Sequence, residues 1–263
     1  GHAFVDGIAL WSPRLPGWDA AAPILRGDAP PTDPQPRPAP ALLAPTERRR
    51  APDTVAIALE VASAACAAAG ADPKSLPSVF ACTHGDLAIT DYMCRTLAGN
   101  ATDISPTKFH NSVHNAAVGY WTIGTGCMQP STALSAFDHT FGQGLLEALS
   151  QVAADGTRVL FSAYDIEAVG PMRSVTTSRG LLGGALVLAP AAGERSAARL
   201  SWQVVRTNGA IDEPMPAAVT DAVAGNPLAS SLPLFRALAR GAGRASVTLS
   251  PSQSLLLEVA ACR

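Results

Sequence analysis

PSTALSAFDHTFGQGLLEALSQVAADGTRVLFSA, residues 130–163, reads as a strand end, a bend, a long helix and a second strand. Ser131-Thr132-Ala133, directly after Pro130, is short and small enough to close a strand. Phe137, Phe141, Leu145, Leu149 and Val152 then recur every three or four residues, which marks one face of a helix. Gly142 and Gly144 let that helix approach a neighbour closely, and Gly156 supplies its C-terminal stop. Arg158-Val159-Leu160-Phe161-Ser162-Ala163 is an apolar run of strand length without alternation, the pattern of a strand covered on both faces, as in a parallel sheet.

Downstream, Gly184-Ala185-Leu186-Val187-Leu188-Ala189 repeats that signature. Leu200, Trp202 and Val204 alternate like a half-exposed strand, and a helix over 231–240 and a strand at Leu255–Val259 close the chain. Upstream, residues 3–11 (AFVDGIALW) predict a first strand, followed by a Pro-rich surface loop over about 28–46 that holds Pro30, Pro31, Pro34, Pro36, Pro38 and Pro40. Asp53 or Thr54 is placed to cap an alanine-rich helix carrying Val55, Leu59, Ala62 and Cys66 and ending at Gly70. Ser78–Cys82 is a short apolar strand, and Asp86 can start another helix. Ser105-Pro106 is an N-cap followed by Pro at the first helical position, and Phe109, Val113, Ala116, Tyr120 and Ile123 follow at helical spacing. Strands alternating with helices make the chain α/β with a mixed, mostly parallel sheet, expected as one domain over 1–263.

Charge excludes some partners. Nineteen Lys+Arg against twenty-one Asp+Glu give a formal net charge of −2, without the concentrated basic stripe that nucleic acid or an anionic membrane demands. Lys74 and Lys108 are the only lysines, and no apolar run reaches the roughly 18–20 residues of a membrane span. Five widely spaced cysteines (Cys66, Cys82, Cys94, Cys127, Cys262), with no C-x-x-C pair, suit free thiols in a reducing cytoplasm. His110 and His114 stand at i,i+4 spacing, but no H-E-x-x-H motif and no third ligand accompany them, so neither a metal nor another cofactor is expected. Cys82-Thr83-His84 places a thiol near an imidazole in sequence, but Cys82, at the end of an apolar strand, is expected to be a small core residue.

The order Asn115, Val118-Gly119, Pro130, Ser131-Thr132-Ala133, Gly142 and the strand Arg158–Ala163 resembles the central segment of β-ketoacyl synthases of the thiolase fold. The resemblance implies a layered α-β-α thiolase-like half, with a five-stranded mixed sheet plus extra strands. In that family a nucleophilic cysteine follows the Ser-Thr-Ala run at a strand-to-helix elbow, where the helix N-terminus favours a thiolate and the thiolate accepts the acyl chain. On that alignment the position is Leu134, which cannot be acylated. No histidine follows His139, so the resemblance offers no counterpart for the family's decarboxylating histidines, expected in a C-terminal half that this chain lacks.

The expectation is therefore a non-catalytic subunit resembling a chain-length factor, most closely the aryl polyene type. It would pair as a heterodimer with a Cys-containing ketosynthase, meet an acyl carrier protein through that complex, and complete an acyl tunnel that sets chain length. Phe109, Tyr120, Trp121, Met128, Leu134 and Phe137 are the tunnel and interface candidates, and His114 and Asn115 the polar interface pair. Two other readings stay open: an acyl-thioester-processing enzyme using Cys127 or Ser135, and a scaffold that binds an acyl carrier protein.

Overall fold

Every residue of Val159–Asp165 and Leu182–Ala189 is buried, because these two runs lie side by side in the middle of a sheet with helices on both faces. The computed structural model describes residues 1–35, 37–206 and 214–262; Pro36 of the Pro-rich stretch lies outside them. In chain order the elements are β1 (His2–Ser12), β2 (Leu15–Pro16), α1 (Trp18–Arg26), α2 (Pro45–Arg50), α3 (Asp53–Ala69), β3 (Ser78–Ala81), α4 (Leu87–Gly99), α5 (Pro106–His110) and α6 (Ala116–Thr125). Then come β4 (Ser131–Leu134), α7 (Thr140–Asp155), β5 (Val159–Asp165), β6 (Leu182–Ala189), β7 (Ala198–Arg206), α8 (Ala217–Ala222), α9 (Leu232–Arg240), β8 (Ala242–Ser250) and β9 (Gln253–Ala261). Among the described residues no helix is long and apolar enough to cross a membrane.

The strands lie in the order β4-β3-β5-β6-β1-β7-β9-β8, with β2 beside β1. β3 runs parallel to β4 and β5, while the other pairings are antiparallel. The expected mixed α/β sheet is present, but the expected excess of parallel pairing is not. An apolar run without alternation reports that both faces are covered; it carries no information on the direction of the neighbouring strand.

Period-2 geometry divides the core. Val159, Phe161 and Ala163 of β5 face α1, α7 and α9, where they meet Leu25, Phe141, Leu145, Leu149 and Phe235. Leu160 and Tyr164 face the other way, toward Val55, Leu59 and Ala62 of α3 and Trp121 of α6. Burying each large apolar side chain in these layers contributes about 1.5–3 kcal/mol.

Local signals place most helix ends. Gly70 ends α3 in the left-handed conformation (φ 56°), Asp86 caps α4 through Ile89 N–H, and Ser105 caps α5 with Pro106 behind it. Asp53 and Thr54 do not cap α3. Pro52 occupies that position, the Asp53 carboxylate pairs with Arg37 at 2.7 Å, and the Thr54 hydroxyl donates to Asp86 Oδ2 at 3.1 Å. The helix expected to run from Ser105 through Ile123 is broken at Asn111–Asn115 into α5 and α6. There the Asn111 amide and Ser112 hydroxyl donate to the carbonyls of Thr107 and Phe109, an alternative to the helical ladder. His110 and His114 consequently do not share a helix face.

Candidate functional site

β3, β4 and β5 run in one direction, so their C-terminal ends open on the same edge of the sheet. Three connections meet there: Cys82–Asp86 after β3, Ser135–His139 after β4, and the chain leaving Asp165. The β4 ladder continues to its last pair, Ala81 with Leu134, and Cys82 N–H still donates to the Leu134 carbonyl at 3.2 Å. Leu134 is therefore a strand residue, half-buried against the core, and not the residue of the bend.

The bend comes three residues later. Phe137 has φ 54°, and among the described residues it is the one non-glycine with positive φ. A bulky side chain in that conformation is a genuine outlier, costing about 1–2 kcal/mol relative to right-handed backbone. The turn is held on both sides: the Thr140 hydroxyl accepts from Ala136 N–H at 2.9 Å and donates to the Phe137 carbonyl at 2.7 Å. A single 3₁₀ turn, Phe137–His139, leads into α7. The family resemblance puts the elbow at Leu134, directly after Ser131-Thr132-Ala133, whereas the backbone bends at Phe137. Ser135-Ala136 before Phe137 is a second small pair of the same kind, and only the ladder distinguishes the two.

Phe137 is 68% exposed, and its ring meets His84 edge-on at 5.4 Å. His84 Nε2 is 3.1 Å from the Thr176 hydroxyl, and burial lowers its pKa although Asp138 pulls it upward. Beneath this pair, the Ser135 hydroxyl donates to the Thr83 carbonyl at 2.7 Å. Thr83 donates through N–H and hydroxyl to the two oxygens of Asp165, at 3.1 and 2.6 Å. Burial pushes the Asp165 carboxyl up to about 7, against the pull of the hydrogen bonds from Thr83 and Cys82.

The buried thiols are Cys66, Cys82 and Cys127. Burial, then the Asp165 charge, push Cys82 up, and its Sγ points at Asp165 and the Gly85 carbonyl rather than at His84. Cys66 is pushed up to about 12, first by burial and then by Asp72 and Cys127. Cys127 is buried, with its thiol on the Leu76 carbonyl at 3.5 Å. The Ser135 hydroxyl is spent on Thr83.

The remaining candidates separate into four groups. Phe109 and Tyr120 come together with Leu42, Leu43, Val113 and Ile123 around an apolar groove of about 670 Å³. Its floor is open at Gly119, where an added Cβ would meet nothing. Trp121 belongs to the core: it is fully buried, 6.1 Å from Phe80, and presents no surface to a partner. Met128 is 93% exposed on the turn after α6 and does not line the groove. His114 Nε2 contacts the Cys82 carbonyl at 2.8 Å, while Asn115 is exposed at the start of α6.

Comparison with known proteins identifies this architecture. The chain matches the β-ketoacyl synthase N-terminal domain family over residues 18–251. No curated protein matches significantly. A chain from the complex of a ketosynthase with its chain length factor from Xenorhabdus doucetiae aligns over 97% of this chain and 99% of its own, at 24% identity and a TM-score of 0.73. The ishigamide ketosynthase/chain length factor aligns over 100% of both chains, at 15% identity and a TM-score of 0.73. A β-ketoacyl synthase from Burkholderia phymatum STM815 does so at 11% identity and a TM-score of 0.66. At these identities the shared property is the fold. With the family match running from α1 to the end of β8, through the strand–bend–helix join at its centre, the chain belongs to the β-ketoacyl synthase N-terminal domain family.

Proposed function

We propose that this chain is a non-catalytic partner of a cysteine-bearing β-ketoacyl synthase, a chain-length-factor-like subunit for polyketide, aryl polyene or fatty-acid-like synthesis. The observation that carries the reading is Phe137 on the bend. A phenyl ring has no lone pair to attack a thioester and no proton to lose, so acyl transfer needs a thiolate from another subunit. Cys127 and Ser135 give no substitute, since the one is buried and the other's hydroxyl is already bonded.

Two surface features support a partner. Phe109, Val113, Ile123, Met128 and Phe137 are all more than half exposed, an amount of apolar surface that association would cover. β4 is the last strand of its edge, with only β3 beside it. Solved relatives of this fold include ketosynthases paired with chain length factors. The groove between segment 42–43 and α5–α6 has the volume and apolar lining that a linear acyl chain requires, and the acyl carrier protein is expected to meet the complex rather than this chain alone.

Co-expression with a ketosynthase that carries the cysteine is expected to yield a stable heterodimer. A mass-tagged acyl thioester should label that partner and leave this chain unmodified. Failure to co-purify, or stoichiometric acylation of this chain, overturns the proposal. Within the complex, Phe109→Ala and Tyr120→Ala are expected to move the product distribution toward longer chains. An unchanged distribution in both would remove the groove from the chain-length role.

A further inference from the structure

Loop Cys82–Asp86 touches the bend twice. The Thr83 carbonyl accepts from Ser135 and the His84 ring packs on Phe137. The same loop is fixed from beneath by one side chain, Asp165, whose two oxygens take both donors of Thr83 while Oδ1 also faces the Cys82 thiol at 3.7 Å. A residue in a sparsely populated backbone region persists only where its surroundings over-determine it, and Phe137 is the one that needs such support.

We propose that Asp165 is a positioning residue for the bend: through Thr83 it sets the loop on which Ser135 and Phe137 rest, and so fixes the direction in which the Phe137 ring is presented. Its value to the protein rests on the reading of that ring as partner-facing, but the geometry belongs to the chain by itself.

The support depends on protonation. Asp165 is 2% exposed, and the ion pairs among the described residues join Arg37 to Asp53, Arg95 to Asp91, Arg158 to Asp6 and Arg173 to Glu167, none of them at this carboxylate. The titratable groups against it are Cys82 after β3 and Tyr164 on β5, both kept neutral by burial. Farther out, His84 is bonded to Thr176, His114 to the Cys82 carbonyl, and Asp86 to Thr54 and Ile89. A protonated Asp165 keeps the arrangement: Oδ2–H donates to the Thr83 hydroxyl oxygen while Oδ1 still accepts from Thr83 N–H. Ionised, it is a buried charge with no compensating cation, which is costly. Releasing the loop returns the carboxyl toward its ordinary value of 3.8, so opening sheds a proton. Opening therefore becomes easier as pH rises to about 7 and changes no further above it.

Hydrogen exchange on the full chain between pH 5 and 8, corrected for the intrinsic pH dependence of amide exchange, tests this. In the wild type the opening constant of amides 135–140 is expected to rise with pH up to about 7 and then level off, the rise from Asp165 being offset in part by His84, whose lowered pKa makes opening easier toward low pH. Asp165→Asn should keep the amides protected and abolish the rise, leaving only the opposite dependence that His84 contributes. Asp165→Ala and Thr83→Val should expose them at every pH; should the first not fold, the second decides. An identical slope in Asp165→Asn, or full protection of 135–140 in folded Thr83→Val, overturns the proposal. Heterodimer formation is scored separately, so loss of the partner reading leaves the exchange result intact.

Discussion

α3 and α7 cover opposite faces of the same sheet and carry comparable shares of the core, yet the chain enters them differently. α3 follows Pro52 at φ −56° and ψ 152°, ordinary extended backbone, and eleven of its seventeen residues are buried. α7 follows Phe137 at φ 54°, a conformation that costs energy, and leaves that ring two-thirds exposed. One helix is attached in the cheapest way available. The other is attached through strain and a supporting polar loop, at the C-terminal edge of the parallel strands. The difference teaches that packing alone does not demand the bend, since α3 packs as well without one.

If both helices are equal in the core, truncation should cost them equally. Leu59→Ala in α3 and Leu149→Ala in α7 remove fully buried side chains, and each is expected to lose about 2–5 kcal/mol in denaturant unfolding. A cost under about 1 kcal/mol at either position would break the equivalence.

The polar support makes the α7 side sensitive to pH. The Asp165 pKa is raised in the fold, so the folded state holds a proton that the unfolded chain gives up near 3.8. The stability it contributes is fully present below pH 3.8 and is lost as pH rises through about 7. Between pH 5 and 8 the wild type should lose about 3 kcal/mol relative to Asp165→Asn. Parallel stability curves for the two would show that the carboxyl titrates alike in both states.

The smallest effect is the most specific. In the middle of α3, Ala58→Gly is expected to cost about 1 kcal/mol. At the bend the order should reverse, with Phe137→Gly more stable than Phe137→Ala by about 1 kcal/mol, because glycine alone adopts that φ freely. If alanine proves the better residue at both positions, no strain is stored at Phe137.

Much of this was legible in the residues. Gly70, Asp86 and Ser105 act within one helical turn of themselves, so their roles as caps follow from local chemistry. The family resemblance rested on the same kind of evidence, the order of small residues, strand and helix across 115–163. Size and nearness to the bend in sequence do not say which way a helix faces: the Trp121 ring turns toward Phe80 and the sheet. Asp165 is not legible in the sequence, since nothing local marks a carboxylate at a strand end as the partner of a threonine eighty-two residues away.

The amino-acid order alone determined the alternation of strands and helices, the apolar layers and the absence of a thiol at the end of β4, since periodicity and residue chemistry act over a few neighbours. Tertiary structure decided that the bend falls at Phe137 and not Leu134, and that β5 and β6 run antiparallel. Both depend on ladder register and direction between strands brought together from distant parts of the chain, where hydrogen bonds form between backbone groups that are the same in every residue and leave no mark in the sequence.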